Sequence, residues 1–243
     1  MYQPHFAQQL GIFSKEKNYS AEKFLKAIPE KFRFIEICMN TDNFEQLRQN
    51  IPSGFSSKEN SNYELNLKNN YQKLFSDYSE NTKRNIKKAI KNRVEISSEK
   101  SDVNEIIKLF KKNKGKQFSH LKNDFYQTFK TLTEICGKKN CIEIYSAFDP
   151  KKNLCAGAVF VIYKSCAIFL FSATNNEAKK NGAMFLLIDS FIKKHSENLT
   201  TLDFEGSNDE NLARFYKSFG AKETVYLQLK KNNLPKYFQW LKK

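Results

Sequence analysis

The sequence lacks the residue clusters that usually hold a metal ion. Its five Cys residues form no Cys-x-x-Cys pair, and Cys155 and Cys166 lie within apolar runs, where a free thiol behaves as a small apolar side chain. The three His residues are far apart. We therefore expect no metal site, no permanently bound cofactor and a reducing compartment.

Long apolar segments are missing as well. No apolar run reaches the roughly 20 residues that a membrane-spanning helix needs. Residues 1–6 lack the basic and apolar regions of a signal peptide, and the chain has neither internal repeats nor low-complexity tracts. These absences favour a soluble, cytoplasmic protein.

What the chain does contain is apolar residues and positive charge. Of its 243 residues 40% are apolar and 14% aromatic, including 22 Phe, which is enough for a large packed core. The formal net charge is +15. Such an excess predicts anionic partners, such as nucleic acid, nucleotide phosphates, anionic lipid or an acidic cell-wall precursor. The alternative is a solvated surface in a lysine-rich proteome.

Hydrophobic periodicity predicts an α+β protein. Residues 40–62 read as a loop with a brief helix near 44–48, and residues 6–13 as a short strand or extended segment. The runs at 156–163 and 167–173 are continuously apolar, which is typical of strands covered on both faces. The remaining strands are predicted at 32–39, 63–67, 142–148, 200–205 and 221–229, and the helices at 20–27, 79–93, 102–113, 122–137, 183–192, 209–219 and 235–242.

The most informative segment spans residues 202–221. An alternating strand ends at Glu205, Gly206 and Ser207, and a short helix follows in which Tyr216 stands four residues before Gly220. One interpretation is a plain strand-helix-strand unit in which the tyrosine packs and the glycine ends the helix. The other is that the segment resembles the C-terminal half of the GNAT acyltransferase fold, in which the tyrosine of such a helix often faces the leaving group of the acyl donor.

A second segment, residues 78–89, supports the catalytic interpretation. It reads Tyr-Ser-Glu-Asn-Thr-Lys-Arg-Asn-Ile-Lys-Lys-Ala and resembles the Ser-x-Asn-Thr-Arg-Arg-Asn-Ile-Lys-Lys-Ala signature of Fem-type proteins. With the acidic loop and the Tyr-x-x-x-Gly helix, the chain resembles FemAB-like, GNAT-fold acyltransferases from about residue 2 to residue 229. Some members of this family build peptidoglycan cross-bridges from aminoacyl-tRNA, and others acylate sugars, peptides, lipids or amines.

The resemblance implies tandem GNAT-like lobes, each with a twisted mixed sheet flanked by helices, and a groove between them for the acceptor. On this reading residues 1–97 form a partial N-terminal lobe ending in a basic helix, and residues 98–243 form the C-terminal lobe with a helical lead-in. The first lobe is shorter than in family members, so we expect a natively truncated chain or a fragment. The helical arm of some Fem proteins is also missing.

The same resemblance assigns catalytic roles. Glu205 would attract or deprotonate an amine acceptor, and the Tyr216 phenol would protonate the leaving group. Other roles stay open: Glu205 could cap the following helix, as Asp209 or Ser207 also could, and Tyr216 could simply pack. For Asp203 a structural role is favoured.

Donor-binding residues are carried over in the same way. Gly206 and Ser207 belong to the acidic loop, and Arg214 would reach a phosphate or carboxylate unless it only lies on the helix surface. Residues 178–184 stand where GNAT enzymes bind coenzyme A pyrophosphate through Arg/Gln-x-x-Gly-x-Gly/Ala. Met184 departs from that pattern, which suits aminoacyl-tRNA as donor in place of acyl-CoA. The residues retained there are Gly182 and, three positions before it, Lys179. A solvated turn would also explain Lys179 and the neighbouring Lys180.

The predicted helix at 79–93 is strongly basic on one side. Its cations could neutralise nucleic-acid phosphates without reading sequence, or form a solvated face. Ser79 or Thr82 can cap this helix, and its opposite side carries Ile86, Ala89, Ile90 and Arg93. The alternatives to an acyltransferase are thus a non-catalytic nucleic-acid-binding protein and a degenerate GNAT-fold scaffold. The cations of the basic side are Lys83, Arg84, Lys87, Lys88 and Lys91.

Overall fold

The computed structural model describes residues 1–15, 19–99, 101–115, 117–118, 121–206 and 208–239. The helices are α1 (Ala21–Lys26), α2 (Phe44–Gln49), α3 (Tyr71–Ser76), α4 (Glu80–Lys91), α5 (Val103–Lys114), α6 (Asn123–Lys138), α7 (Asn176–Asn181), α8 (Ala183–His195), α9 (Glu210–Lys217) and α10 (Lys236–Gln239). The strands are β1 (Phe34–Cys38), β2 (Ser56–Asn66), β3 (Glu95–Ser97), β4 (Ile142–Phe148), β5 (Leu154–Tyr163), β6 (Cys166–Thr174), β7 (Thr201–Asp203) and β8 (Lys222–Asn232).

These elements form two compact units. Unit 1 contains residues 1–62, 206–208 and 223–243, and unit 2 contains residues 63–205 and 209–222. The predicted boundary between residues 97 and 98 falls inside unit 2, so it does not coincide with this division. The tandem-lobe organisation and the shortening of the first lobe stay predictions.

Unit 1 is built on the antiparallel pair β1 and β8, in which Ile35 lies opposite Lys231. The first part of β2 is the other neighbour of β8. The Ser20 side chain caps α1, as its position before the helix predicts. In the predicted extended segment 6–13, only Leu10 forms a β-bridge, to Met39. Among the described residues, one core cluster of unit 1 contains Ala21, Leu25, Met39, Leu47, Leu227 and Leu229.

Unit 2 contains a mixed sheet in the order β2 (its last residues), β7, β6, β5, β4 and β3. The end of β2 is antiparallel to β7, β7 is parallel to β6, and β6 through β3 are antiparallel neighbours. The β6–β7 ladder contains only three residue pairs and ends at Ile168 opposite Asp203. Since β6 continues to Thr174, its second half extends beyond the end of β7.

Helices cover both faces of this sheet. The Phe160 ring on β5 stacks on Phe191 of α8, with ring centroids 3.8 Å apart. Gly157 on the same strand lies against Ile106 of α5, where a Cβ would come within 2.5 Å of the isoleucine side chain. Positions 157 and 160 face opposite sides of a strand, so α5 and α8 cover opposite faces. The α+β class, with a mixed sheet flanked by helices, is confirmed.

Helix α4 has the predicted cap and part of the predicted apolar face. The Ser79 hydroxyl accepts a hydrogen bond from the Thr82 backbone N–H at 3.2 Å. Ile86 and Ala89 are buried, but Ile90 is 61% exposed, so its placement on the packed side was wrong. The packed face is therefore narrower than predicted.

The loop predicted for residues 40–62 was wrong in its last part, since β2 begins at Ser56. Residues 56–62 read Ser-Ser-Lys-Glu-Asn-Ser-Asn and carry no apolar alternation, so the sequence gives no strand signal there.

Within the described ranges, no helix is both long and apolar enough to cross a membrane.

Candidate active site

The separation of β6 from the chain after β7 defines the candidate site in unit 2. The parallel ladder ends at Asp203, and Glu205 follows two residues later. Beyond Ile168, β6 has no β7 residue paired with it, so the backbone groups on that edge have no β7 partner. Both the carboxyl group and the edge therefore lie where the two strands part.

Glu205 has an unusual backbone conformation. Its φ of 48° lies in the left-handed region, which costs a residue with a side chain about 1 kcal/mol or more. The Asp203 carboxylate accepts a hydrogen bond from the Glu205 backbone N–H at 2.8 Å, which holds this turn in place. Strain of this kind is concentrated at functional sites.

The Glu205 carboxyl group is half-buried and has no hydrogen bond or ion pair among the residues described. Burial, together with the negative charge of Asp203, raises its pKa to about 8. A carboxyl group with such a pKa can exchange a proton near neutral pH, as a general base must. Helix capping does not explain Glu205, because Asp209 is the cap of α9 and accepts from the backbone N–H groups of Asn211 and Leu212.

Tyr216 lies on α9, and 7% of it is exposed. Its ring stacks on Phe204 with centroids 4.8 Å apart and contacts Phe169 and Tyr63, so the packing interpretation describes its ring correctly. Burial and the negative charges of Glu205 and Asp209 raise the pKa of its phenol to about 12. The hydroxyl therefore stays protonated at neutral pH and interacts electrostatically with the Glu205 carboxyl group.

The other two residues of the acidic loop are Gly206 and Ser207. Gly206 belongs to unit 1, and its backbone N–H donates to Asn62 Oδ1 at 2.7 Å. A side chain at position 206 would collide with the backbone of Ser61, so glycine is required there by a close approach. Ser207 lies outside the described residues. Substrate binding by these two residues stays a prediction.

The predicted donor loop lies at the junction of α7 and α8. Gly182 has a φ of 80°, and a Cβ there would collide with the Asn85 carbonyl of α4. This close approach gives Gly182 a structural reason to be glycine. Lys179 and Lys180 are exposed in the last turn of α7. No contact among the described residues distinguishes a phosphate-binding role for these two lysines from a solvated turn.

Arg214 lines a cavity of about 730 Å³ in unit 2. The cavity combines polar residues from the start of α4 and from α9 with the rings of Phe185 and Phe215, whose centroids are 4.9 Å apart. Arg214 is exposed and forms no ion pair within the described part of the chain. The other lining residues are Ser79, Asn81, Asn211, Lys217 and Ser218.

The basic side of α4 is present. Arg84, Lys87, Lys88 and Lys91 are exposed and form no ion pair within the ranges the structure describes. Lys83 differs because it is half-buried, pairs with Glu80 at 3.0 Å and donates to the Ser76 carbonyl at 3.1 Å. The structure therefore brings four of the five predicted cations together as an unpaired stripe.

Two carboxyl environments were missed by the sequence interpretation. Asp189 is buried within α8 and accepts hydrogen bonds from the Tyr71 hydroxyl at 2.9 and 3.1 Å, while burial raises its pKa. Glu143 on β4 accepts from Lys194 and lies 2.9 Å from His195 Nε2. An acidic residue inside an apolar helix pattern was the available signal for Asp189. No group of His, Cys, Asp and Glu among the described residues is arranged to hold a metal ion.

Residues 76–218, more than half of the chain, match the family described as Acetyltransferase (GNAT) domain. The chain therefore belongs to the GNAT acetyltransferase family. The matched region contains Glu205, Tyr216, Arg214 and all of α4. No curated protein matches the sequence.

Solved structures share the fold at low sequence identity. FemX has a TM-score of 0.62 and 15% identity, over 93% of this chain and 81% of FemX. A conserved protein of unknown function from Bacteroides thetaiotaomicron has a TM-score of 0.60 and 11% identity, over 88% of this chain and 76% of that chain. L-PGS from Bacillus licheniformis has a TM-score of 0.56 and 10% identity, over 90% and 74%. The predicted GNAT family is confirmed by the match over residues 76–218, and the predicted likeness to Fem-type proteins is confirmed as a shared fold.

Proposed function

We propose that this protein is an N-acyltransferase that moves an aminoacyl or acyl group from an activated donor to an amine acceptor. Family membership supports the reaction class, because GNAT domains use an acyl donor and an amine acceptor. The observation that carries the proposal is the half-buried Glu205 carboxyl group, whose pKa is raised to about 8 and whose charge contributes to the raised pKa of the Tyr216 phenol.

In this proposal Glu205 acts as the general base. Its carboxylate takes a proton from the acceptor ammonium, so that the neutral nitrogen can attack the donor carbonyl carbon. An environment that raises the pKa toward the operating pH makes the carboxylate a stronger base than an ordinary glutamate. The acceptor is an amine, for example the amino group of a cell-wall precursor in the cytoplasm.

Tyr216 acts as the acid in the second half of the reaction. As the bond between the acyl carbon and the leaving oxygen or sulfur breaks, the phenol donates its proton to that atom. The hydroxyl has no hydrogen-bond partner among the described residues, so its proton is not committed elsewhere. The nitrogen gives its second proton to water as the amide forms. After product release one of the two nitrogen protons restores the Tyr216 phenol through water and the other is released to solvent, which leaves Glu205 ionised.

The donor would lie along the edge of β6 and extend toward the cavity lined by Arg214. Backbone N–H groups of β6 beyond Ile168 can donate to a carbonyl of an extended donor, as strand edges do in peptide recognition. Arg214 would bind a donor phosphate, which both aminoacyl-tRNA and acyl-CoA carry.

A transfer assay with each donor class tests the proposal. Radiolabelled aminoacyl-tRNA and acyl-CoA species are incubated with the protein and a panel of amines that includes muropeptide precursors, and the labelled product is isolated. Transfer from one donor class is expected, with a KM for the donor that rises about 10-fold in Arg214→Ala. Arg48→Ala, which removes an exposed arginine from α2, is the matched control. Absence of transfer from both donor classes would contradict the proposal.

A second function is favoured by the unpaired cations of α4. A stripe of four exposed cations can neutralise nucleic-acid phosphates, which gives RNA binding that weakens steeply as salt rises. If RNA binding is the whole function, it survives Glu205→Gln and Tyr216→Phe and is lost when Lys83, Lys87 and Lys91 become Glu. If the stripe serves a tRNA donor, the same charge reversal also raises the donor KM.

A further inference from the structure

Unit 1 contains a cavity of about 710 Å³ that no step of the proposed reaction uses. It is bounded by the end of α1, the chain between α1 and β1, residues 52–55 and the last residues of β8. Its volume lies in the range typical of small-molecule sites.

The charge of the cavity lining is strongly positive. Lys31, Arg33 and Lys231 line it, and none of them pairs with a carboxylate among the described residues. Lys26 also lines the cavity but is paired with Glu22 at 2.6 Å. Against the three unpaired cations stands one acidic lining residue, Glu30, so the cavity keeps a net positive charge.

Backbone hydrogen bonds fix the segments that carry these cations. The Asn233 N–H donates to the Arg33 carbonyl at 2.7 Å, which extends the β1–β8 pairing toward the cavity. Lys231 lies within that pairing, opposite Ile35. The Phe32 N–H donates to the Pro29 carbonyl at 3.0 Å and closes the turn that holds Lys31. The cations are thus attached to ordered backbone.

The cavity also offers apolar and aromatic surface beside the charges. Lys231 Nζ lies 5.5 Å from the centre of the Phe55 ring, and Lys31 Nζ lies 5.5 Å from that of Phe32. Ile35 is buried and contributes to the lining. A ligand that joins an anionic group to a ring or alkyl part would match both kinds of surface.

We propose that this cavity binds an organic phosphate. At neutral pH a phosphodiester carries one negative charge, a phosphate monoester about two and a diphosphate about three. The planar guanidinium of Arg33 can hold two oxygens of any of them. Lys31 and Lys231 complete the charge balance, and the organic part packs against Phe55. The proposal concerns unit 1 alone and does not rest on acyl transfer in unit 2.

Isothermal titration of the full chain at low salt tests this proposal. The probes are pyrophosphate, ADP and the water-soluble lipid dihexanoylphosphatidylglycerol. Binding of at least one probe is expected, with an affinity that falls as salt rises. ADP without the lipid identifies a nucleotide-like ligand, the lipid without ADP identifies a phospholipid headgroup, and either result supports the proposal.

Variants locate the binding. Arg33→Gln and the double variant Lys31→Glu/Lys231→Glu are each expected to weaken it about 10-fold or more. Lys58→Glu, an exposed charge reversal on β2 of the same unit, should leave the affinity within about 2-fold. Far-ultraviolet circular dichroism verifies folding, and Arg33→Gln alone decides the test if the double variant fails to fold. The proposal is overturned if no probe binds, or if Arg33→Gln and Lys58→Glu have equal effects.

Discussion

Glu143 and Glu205 are half-buried glutamates of unit 2 with opposite protonation behaviour. Burial alone raises the pKa of Glu143, but hydrogen bonds from His195 and Lys194 outweigh it and lower the pKa to about 2. Glu205 is more deeply buried, has no such partners and lies near the charge of Asp203, and its pKa rises to about 8. The two sites show that hydrogen-bonding partners together with burial decide whether a carboxyl group is fixed as an anion or can exchange a proton.

Glu143 stabilises the fold, whereas Glu205 has the properties of an active-site residue. The Glu143 carboxylate joins β4 to the end of α8 through Lys194 and His195, and Tyr145 donates to it at 3.1 Å. A carboxylate held in this way stabilises the folded state. Glu205 is desolvated, close to a second acid and in a strained backbone conformation, all of which oppose folding. Such a cost is typical of active sites.

The largest expected effect is on activity. Glu205→Gln removes the base while preserving shape, so kcat/KM should fall about 100- to 1,000-fold. In the wild type the rate should rise with pH up to about 8, as the carboxyl group ionises, and the variant should lose this rise. Initial rates between pH 6 and pH 9 measure both. Glu143→Gln is the control, and it should retain activity under conditions where it is fully folded. Equal losses of activity in the two variants would contradict a catalytic role that is specific to Glu205.

The same substitution should stabilise the fold at high pH. The Glu205 pKa is higher in the folded protein than its ordinary 4.5, so ionisation destabilises the folded state as pH rises from 4.5 to about 8. Glu205→Gln should therefore raise the free energy of unfolding by on the order of 3 kcal/mol at pH 9 and much less at pH 5. Urea unfolding at the two pH values measures this. A variant as stable as the wild type at pH 9 would show that Glu205 is not desolvated.

Glu143→Gln should have the opposite effect. The Glu143 pKa is depressed, so its stabilising contribution is present above pH 4.5 and is lost as pH falls toward 2. At pH 7 the variant should lose about 2 kcal/mol of unfolding free energy, after allowance for partial solvent exposure. The difference from wild type should shrink in urea titrations below pH 4.5. An unchanged stability at pH 7 would mean that the ion pairs contribute nothing.

The smallest effect is expected for Tyr216→Phe. The ring contacts with Phe204 and Phe169 are kept and only the hydroxyl is lost, so kcat should fall about 10-fold, as expected for a weakly acidic proton donor. The urea midpoint should stay the same, because the hydroxyl has no hydrogen-bond partner among the described residues. Unchanged kcat would assign Tyr216 to packing alone.

Local sequence signals predicted the parts of the fold that depend on neighbouring residues. Ser20 and Ser79 cap α1 and α4 as their spacing indicates, and the apolar run of β5 is buried on both faces. The polar start of β2 gave no such signal, because its pairing comes from β8, more than 150 residues later. Strand pairing over that distance is a tertiary property.

The candidate site likewise has features that local sequence signals predict and features that depend on tertiary structure. Glu205 and Tyr216 could be singled out from the acidic loop and the Tyr-x-x-x-Gly helix. Their protonation could not, because it depends on Asp203 and on burial by the folded unit. The short β6–β7 ladder and the left-handed φ of Glu205 are likewise set by tertiary packing. Catalytic roles for these residues stay predictions until they are measured.

The close approach between Gly182 and Asn85 has an evolutionary consequence. Any side chain at position 182 would displace α4, and with it the basic stripe, from the start of α8. Two segments that lie almost 100 positions apart in the sequence are therefore constrained as one. Descendants of this protein that keep the stripe in place must inherit the glycine with it, and lineages that lose the glycine will have rebuilt the helix.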